Sequence, residues 1–514
     1  MSSRADVPIA PRAPNRRALI LPGGGMRVGY QAGAVKALHD WGLRYSYADG
    51  ASGGTMNLAA LLSGVSPDDL CRRWRTLNPQ NFVSLAPLRS YLRFPNVAAF
   101  GGFEGLSKKV FPHLGIDIGR IRAETSVRGT FNICVFDEKI VAPVPNAEMD
   151  DQLLLAGVSL PLMTPAVVHN GHTYTDAVWI RDCNLMAPIE AGANELWIVW
   201  CIANTPVYKD GPLNQYVHMI EMSALGALHG DFARIAALNE RIAQGERPYG
   251  HGSPIVVHLI EPEWPIPLDP DYVLGRTDGD TLVDSGYRDA SRYLASMKQG
   301  GIALVPASTR MREPGRGISF REAMTGRISF GQTDPMTGAD DSNGVPLVLR
   351  ASIDIRNMDG FVADSTHTGE MVGHIYSPRL GGNLPSTGAV FRLFSPSGDP
   401  SMTEMVYEMG FKSDGKQYWL AGRKTVRISL PFNLWHDTTT LYVTLHEGDR
   451  YGPIVAAGVL SLGVFDLMRL MSTFHATGCE GIGQALGTIV KFAGFFMREL
   501  WRTYVLRKPV LQPV

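Results

Sequence analysis

The sequence predicts an α/β domain over residues 17–308, an antiparallel all-β sandwich or barrel after it, and a C-terminal amphipathic helix. Three observations carry this. From Arg17 to about Ser308 short apolar runs alternate with helical stretches, as βα units do. Past Asn343 the period changes to two, clearest in Leu347-Val348-Leu349-Arg350-Ala351-Ser352-Ile353-Asp354-Ile355, the mark of a half-buried strand. From Gly481 to Tyr504, Ile482, Leu486, Ile489, Val490, Phe492, Ala493, Phe496 and Leu500 recur at helical spacing.

In chain order, residues 1–16 are rich in Pro, Ala and Arg, lack the apolar core of a secretory signal, and read as a disordered tail. Strands are expected at 18–21, 47–51, 130–136, 196–202 and 254–260. Helices are expected at 29–41, 54–62, 67–77, 152–158 and 213–245. The stretch 78–119 is rich in Pro, Phe and Leu without a clear period and reads as a cap or as packed irregular chain. Residues 309–343 turn to Arg, Gly, Asp and Thr, with Glu313-Pro314-Gly315 and Asp334-Pro335-Met336-Thr337-Gly338 as turns, so a linker is expected there. Asp334, Asp340 and Asp341 lack the spacing of an EF-hand loop. Residues 344–475 form the β domain, in which Met405 to Leu430 reads as a hairpin turning at Ser413-Asp414-Gly415-Lys416. Residues 476–514 hold the final helix and tail. Its aromatics, Phe492, Phe495 and Phe496 beside Lys491 and Arg498, suit either packing on the β domain or lying in a bilayer interface.

Composition narrows the function classes. A chain of 514 residues exceeds one ordinary core. With 45% hydrophobic and 19% charged residues it is globular, and a net charge of -1 gives no footprint for nucleic acid. Five scattered cysteines without a C-x-x-C pair argue against a zinc site or a disulfide framework and favour a reducing compartment. No uncharged apolar run reaches membrane-spanning length. The cytosol is the expected location, with peripheral contact at the inner face of the membrane left open.

The chemistry is concentrated near the start. Gly50-Ala51-Ser52-Gly53-Gly54 has the G-x-S-x-G form of a nucleophile elbow, a tight strand-to-helix turn that lifts a serine. Gly23-Gly24-Gly25-Met26-Arg27 follows the apolar run Ala18–Leu21 and is the kind of loop that aims backbone N–H groups at a developing negative charge. As a dinucleotide site it fails, because the third glycine of G-x-G-x-x-G would fall on Val28. Glycine loop and elbow on successive strands are too early for an ordinary α/β-hydrolase, where the elbow lies further along and a histidine comes last.

The N-terminal part, from about Arg17 to Ser308, resembles the patatin-like phospholipase family. The resemblance rests on Gly23–Arg27, Tyr30-Gln31-Ala32-Gly33, the elbow Gly50–Gly54, Ala156–Pro161 and Gly171-His172-Thr173-Tyr174-Thr175-Asp176, with Asn184 and Pro188 following. It implies a mostly parallel sheet with flanking helices and a Ser-Asp dyad that cleaves carboxylic esters of phospholipids or lysophospholipids through an acyl-enzyme, with no cofactor or metal. Ser52 would be the nucleophile and Asp176 the base. The amides of Gly24, Gly25 and Met26 would form the oxyanion hole. Gly23, Arg27, Gly50, Gly53 and Gly54 would support them. Two departures stand out: Val28 follows Arg27 where the family has Gly, and Ala177 follows Asp176. If position 177 needs positive φ, Ala costs about 1–2 kcal/mol. Acyl transfer to another alcohol and a catalytically silent lipid-binding scaffold are the alternatives. Asp182 and Asp49 compete with Asp176 as the acid, and His251 or His258 could serve as a base. The β module, including Asp437–Val443, is weakly similar to one attached to bacterial cholesterol-oxidase-like flavoproteins, and no flavin chemistry is carried over.

Overall fold

The computed structural model describes residues 16–82, 84, 99–399, 402–427 and 438–504. The predicted tail, most of 83–98 in the expected cap, Asp437 and the last ten residues lie outside these. The chain divides into two units, Met1–Val273 with Tyr293–Arg312, and Leu274–Arg292 with Glu313–Val514.

The first unit holds an eight-stranded sheet in the order β5-β6-β3-β2-β1-β7-β8, with β4 paired to β3. β1 (Arg17–Leu21) is fully buried and lies parallel to β2 (Tyr47–Ala51) on one side and β7 (Glu195–Val199) on the other. β2 is parallel to β3 (Arg128–Val135), and β7 to β8 (Val256–Ile260). β4 (Ile140–Pro145), β5 (Val167–His169) and β6 (His172–Asp176) run antiparallel to their neighbours. The five expected strands match β1, β2, β3, β7 and β8. The missed β4, β5 and β6 are short and half exposed; β4 is apolar but broken by two prolines, and β5 and β6 span only three and five residues. Because the chain leaves β1 toward β2 and β3 and later returns on its other side as β7, the carboxyl end of β1 is a switch point, where open α/β sheets bind ligands. Ile20, Leu196, Ile198, Trp200, Leu228 and Phe232 pack the sheet against the long helix Pro212–Ala243.

The second unit is a closed barrel. β9 (Gly317–Phe330), β10 (Val345–Ile355), β11 (Thr368–Ser377), β12 (Gly382–Pro396), β13 (Met402–Ser413), β14 (Lys416–Arg427), β15 (Thr440–Glu447) and β16 (Ile454–Ser461) each pair antiparallel with the next. β16 then pairs with β9, which leaves no open edge. Between sandwich and barrel, the barrel is correct. The β13–β14 hairpin turns at Asp414 and Gly415, both with positive φ (47° and 75°), the two-residue turn its sequence predicts. The expected linker is corrected here: Gly317–Phe330 is the strand that closes the barrel, and the turn signals flank it. Residues 274–292 also go with this unit, where Asp280, Thr281 and Asp284 contact Arg350, Ser352 and His374 at 3.0, 2.7 and 2.8 Å.

The C-terminal helix (Ile482–Tyr504) has two apolar faces. Phe492, Phe495 and Leu500 are buried in the barrel core, with Phe496 packed against it. Lys491 pairs with Asp359. Of the two readings of these aromatics, packing on the β domain is the one observed. A second stripe, Ile482, Leu486, Val490, Met497 and Trp501, is 57–89% exposed.

Candidate active site

The loop after β1 and the elbow after β2 meet at the carboxyl end of the sheet, because Gly53 and Gly54 allow backbone to touch backbone and Gly23 leaves room for the Ser52 side chain. A Cβ at Gly54 would fall on the Leu21 carbonyl oxygen, and one at Gly53 would come within 2.6 Å of the Gly25 oxygen. At Gly23 it would lie 2.6 Å from Ser52 Cβ and 3.0 Å from Ser52 Oγ. The glycine loop thus runs directly over the serine. Ser52 itself has φ 48°, a left-handed conformation that a non-glycine residue adopts at a cost of order 1–3 kcal/mol. It is held there by β2 before it and the helix Gly54–Leu62 after it, with Thr55 N–H donating to Ser52 O at 3.0 Å. The residue keeps 8% of its surface, so it is recessed but reachable.

Asp176 ends β6, in register with Ile133 of β3. Its N–H donates to Ser159 O at 2.9 Å, and its Oδ1 accepts from Val178 N–H at 2.9 Å. Burial pushes its pKa up to about 6, opposed by the Ser52 hydroxyl and the Val178 amide, both of which favour the charged form. Its Oδ2 is buried and makes no hydrogen bond of ordinary geometry. Unliganded sites often hold such contacts loosely until substrate arrives. Ala177 opens the helical turn Ala177–Trp179 and is absent from the residues with positive φ, so the departure from the family pattern costs no backbone strain. The case for a silent scaffold rested on that residue.

The glycine loop leads straight into the helical turn Gly25–Val28. Gly23 N–H donates to Asp182 Oδ2 at 2.8 Å and Met26 N–H to Asp269 Oδ1 at 3.0 Å. Neither Gly24 nor Gly25 donates its N–H to a protein acceptor among the described residues. The expectation for Met26 is corrected: its amide is a first-turn N–H, and a carboxylate caps it. Arg27 braces the loop through Nε to Gly24 O at 3.0 Å, with a buried Nη1 left unpartnered. Gly50 supports the elbow from below, against Leu58.

The competing acids and bases sort by contact. Asp49 is locked under the elbow by Thr130 Oγ1 and Asn132 Nδ2, each donating at 2.5 Å, and Asn184 donates to Asn132 at 3.0 Å. Burial pushes Asp49 up to about 7. His251 bonds to Ile189 O at 2.8 Å, and His258 stacks on Trp197 with its Nδ1 2.9 Å from Tyr293 Oη. These contacts account for both histidines away from Ser52. Pro188 lies in the short helix Met186–Glu190. Sequence reasoning missed Asp269, which sits in a proline-rich stretch with no motif, and the brace of Gln31, Asn57 and Trp74. Gln31 donates to Pro22 O at 2.7 Å, Asn57 to Val28 O at 2.8 Å, and Trp74 to Asn57 at 2.7 Å. Tyr216 was also missed. Its hydroxyl donates to Pro161 O at 2.5 Å, and the Asp176 charge adds to burial in raising its pKa.

Residues 19–189 match the family model for patatin-like phospholipases. No curated protein matches the chain. Among solved structures the chain is similar to VipD from Legionella pneumophila, at 10% identity and a TM-score of 0.30, over 56% of this chain and 67% of that one. That likeness is too loose to carry the fold. Among the described residues no helix is long and apolar enough to cross a membrane, and no group of acidic, His and Cys side chains could hold a metal ion.

Proposed function

We propose that the patatin-like phospholipase domain at residues 19–189, of a family of lipid esterases, hydrolyses carboxylic esters of phospholipids or lysophospholipids with Ser52 as nucleophile and Asp176 as base. One observation carries the reading: a serine held at φ 48° lies against both a glycine loop and a buried carboxylate. Asp176 takes the hydroxyl proton as Ser52 Oγ attacks the ester carbonyl, and returns it to the leaving alcohol. The free amides of Gly24 and Gly25 stabilise the oxyanion, each worth roughly 10²–10³ in rate. Water attack on the acyl-enzyme then releases the fatty acid, with Asp176 again the base. Without a histidine, proton transfer needs an acid whose pKa is nearer neutrality than the ordinary ~3.9, and burial supplies that shift. The test is hydrolysis of a panel of phospholipids, lysophospholipids and neutral glycerides by purified protein. Release of fatty acid from phospholipid or lysophospholipid supports the reading, and turnover of glycerides alone would move the substrate class.

The second unit would bring the enzyme to a lipid surface through the exposed stripe of the C-terminal helix. A Leu486→Asp/Val490→Asp double variant is expected to weaken liposome binding by more than about tenfold, since each buried aliphatic side chain is worth about 1.5–3 kcal/mol. Its thermal midpoint should stay unchanged, because both residues are at least 60% exposed. Unchanged sedimentation with liposomes would remove this role.

A further inference from the structure

Ser52 has a second buried acid beside it. Asp182 is completely buried and follows Asp176 on the same connection. Its Oδ2 accepts from Gly23 N–H, while its Oδ1 is buried with no hydrogen-bond partner. That Oδ1 and Ser52 Oγ both lie within 3.0 Å of the point a Cβ would occupy at Gly23. Asp182 Oδ1 therefore comes close to the hydroxyl that Asp176 also contacts, and it has no hydrogen-bond partner of its own.

We propose that Asp182 is a positioning residue of this site, a carboxylic acid that keeps its proton on the oxygen nearest Ser52 while its other oxygen pins the glycine loop, so that Asp176 alone is ionised. The proposal rests on the reading of Ser52 and Asp176 as the dyad. Two close carboxylates out of water do not both ionise readily, and the proton settles on the one with less support for its charge. Asp176 has the Ser52 hydroxyl and the Val178 amide, whereas Asp182 has a single amide. The other groups facing Asp182 do not reverse this. Arg27 lowers it, Asp49 adds to its rise, and the thiols of Cys183 and Cys201 are held above their ordinary range by burial and stay neutral. Burial, then the Asp176 charge, push Asp182 up to about 8. Once it ionises, a second negative charge stands where the oxyanion must form. The rate then falls.

The experiment is the pH dependence of kcat/KM on a soluble ester for the wild type, Asp182→Asn and Asp182→Ala, with infrared difference spectra of wild type minus Asp182→Asn. The wild type should lose about tenfold per pH unit above the second step of the pair. Asp182→Asn keeps an acceptor for Gly23. It should recover part of the rate lost in Asp182→Ala at unchanged KM, with the alkaline limb gone. A limb that persists in Asp182→Asn would overturn the proposal, as would equal loss in both variants with the wild-type profile. The spectra separate this from failure of the dyad. A protonated-carboxylic C=O band at about pH 6 that vanishes by about pH 10 supports the proton on Asp182, even if no ester is cleaved. Its absence at about pH 6 overturns the proposal at any level of activity.

Discussion

Ser52→Ala is expected to lower ester hydrolysis by at least about 10⁴-fold, as loss of a nucleophile does when the remaining parts of a site act only with it. The fold should survive the change. Alanine at φ 48° bears the same backbone strain as serine, and the elbow is held by Thr55 N–H and by the glycine contacts, not by the hydroxyl. The proposed oxyanion donors Gly24 and Gly25 are untouched in the variant, so any residual rate would belong to water attacking an ester they polarise. A folded Ser52→Ala protein within tenfold of the wild type would mean that another group is the nucleophile.

Asp176→Asn is expected to cost about 10²–10⁴-fold in kcat, the contribution of a positioned general base. The amide retains an acceptor for Val178 N–H, so geometry is kept while basicity is lost. In the wild type kcat/KM should rise with pH through about 6, because the carboxyl below that value already carries a proton and cannot take another from Ser52. The variant should show no such rise. Stability moves the other way. The folded pKa lies above the unfolded one, so the folded state binds more protons between about 4 and 6 and stability falls as pH rises through that window. Above it the wild type carries a penalty of up to about 3 kcal/mol that Asn lacks. A higher midpoint for Asp176→Asn above about pH 6, absent below about pH 4, would mark a carboxylate retained for chemistry against the interest of the fold. Equal midpoints with full activity would make Asp176 an ordinary turn residue.

Much of this was legible before any coordinates. The elbow and glycine loop could be read because their glycines stand where a Cβ would collide, as at Gly54 against the Leu21 carbonyl oxygen and at Gly23 against Ser52, and so they recur as a short motif. The central strands of the sheet could be read because they are buried on both faces. Asp269 could not, since a cap contributed from 243 residues away has no pattern around it. The barrel could not be told from a sandwich, because closure is a single pairing between β16 and β9 that leaves both strands with the same alternation. The final helix stayed between two readings for a related reason. Its apolar residues occupy two faces, and periodicity alone does not say which one the barrel covers.

The central claim is that one recessed hydroxyl, raised on a strained turn between a glycine loop and a buried acid, is the nucleophile. Labelling the folded protein with a fluorophosphonate and mapping the adduct by mass spectrometry tests it most directly. The account predicts a single adduct on Ser52, abolished by Ser52→Ala and slowed by Asp176→Asn. A folded, ester-cleaving protein that takes up the probe on another residue, or not at all, would contradict it.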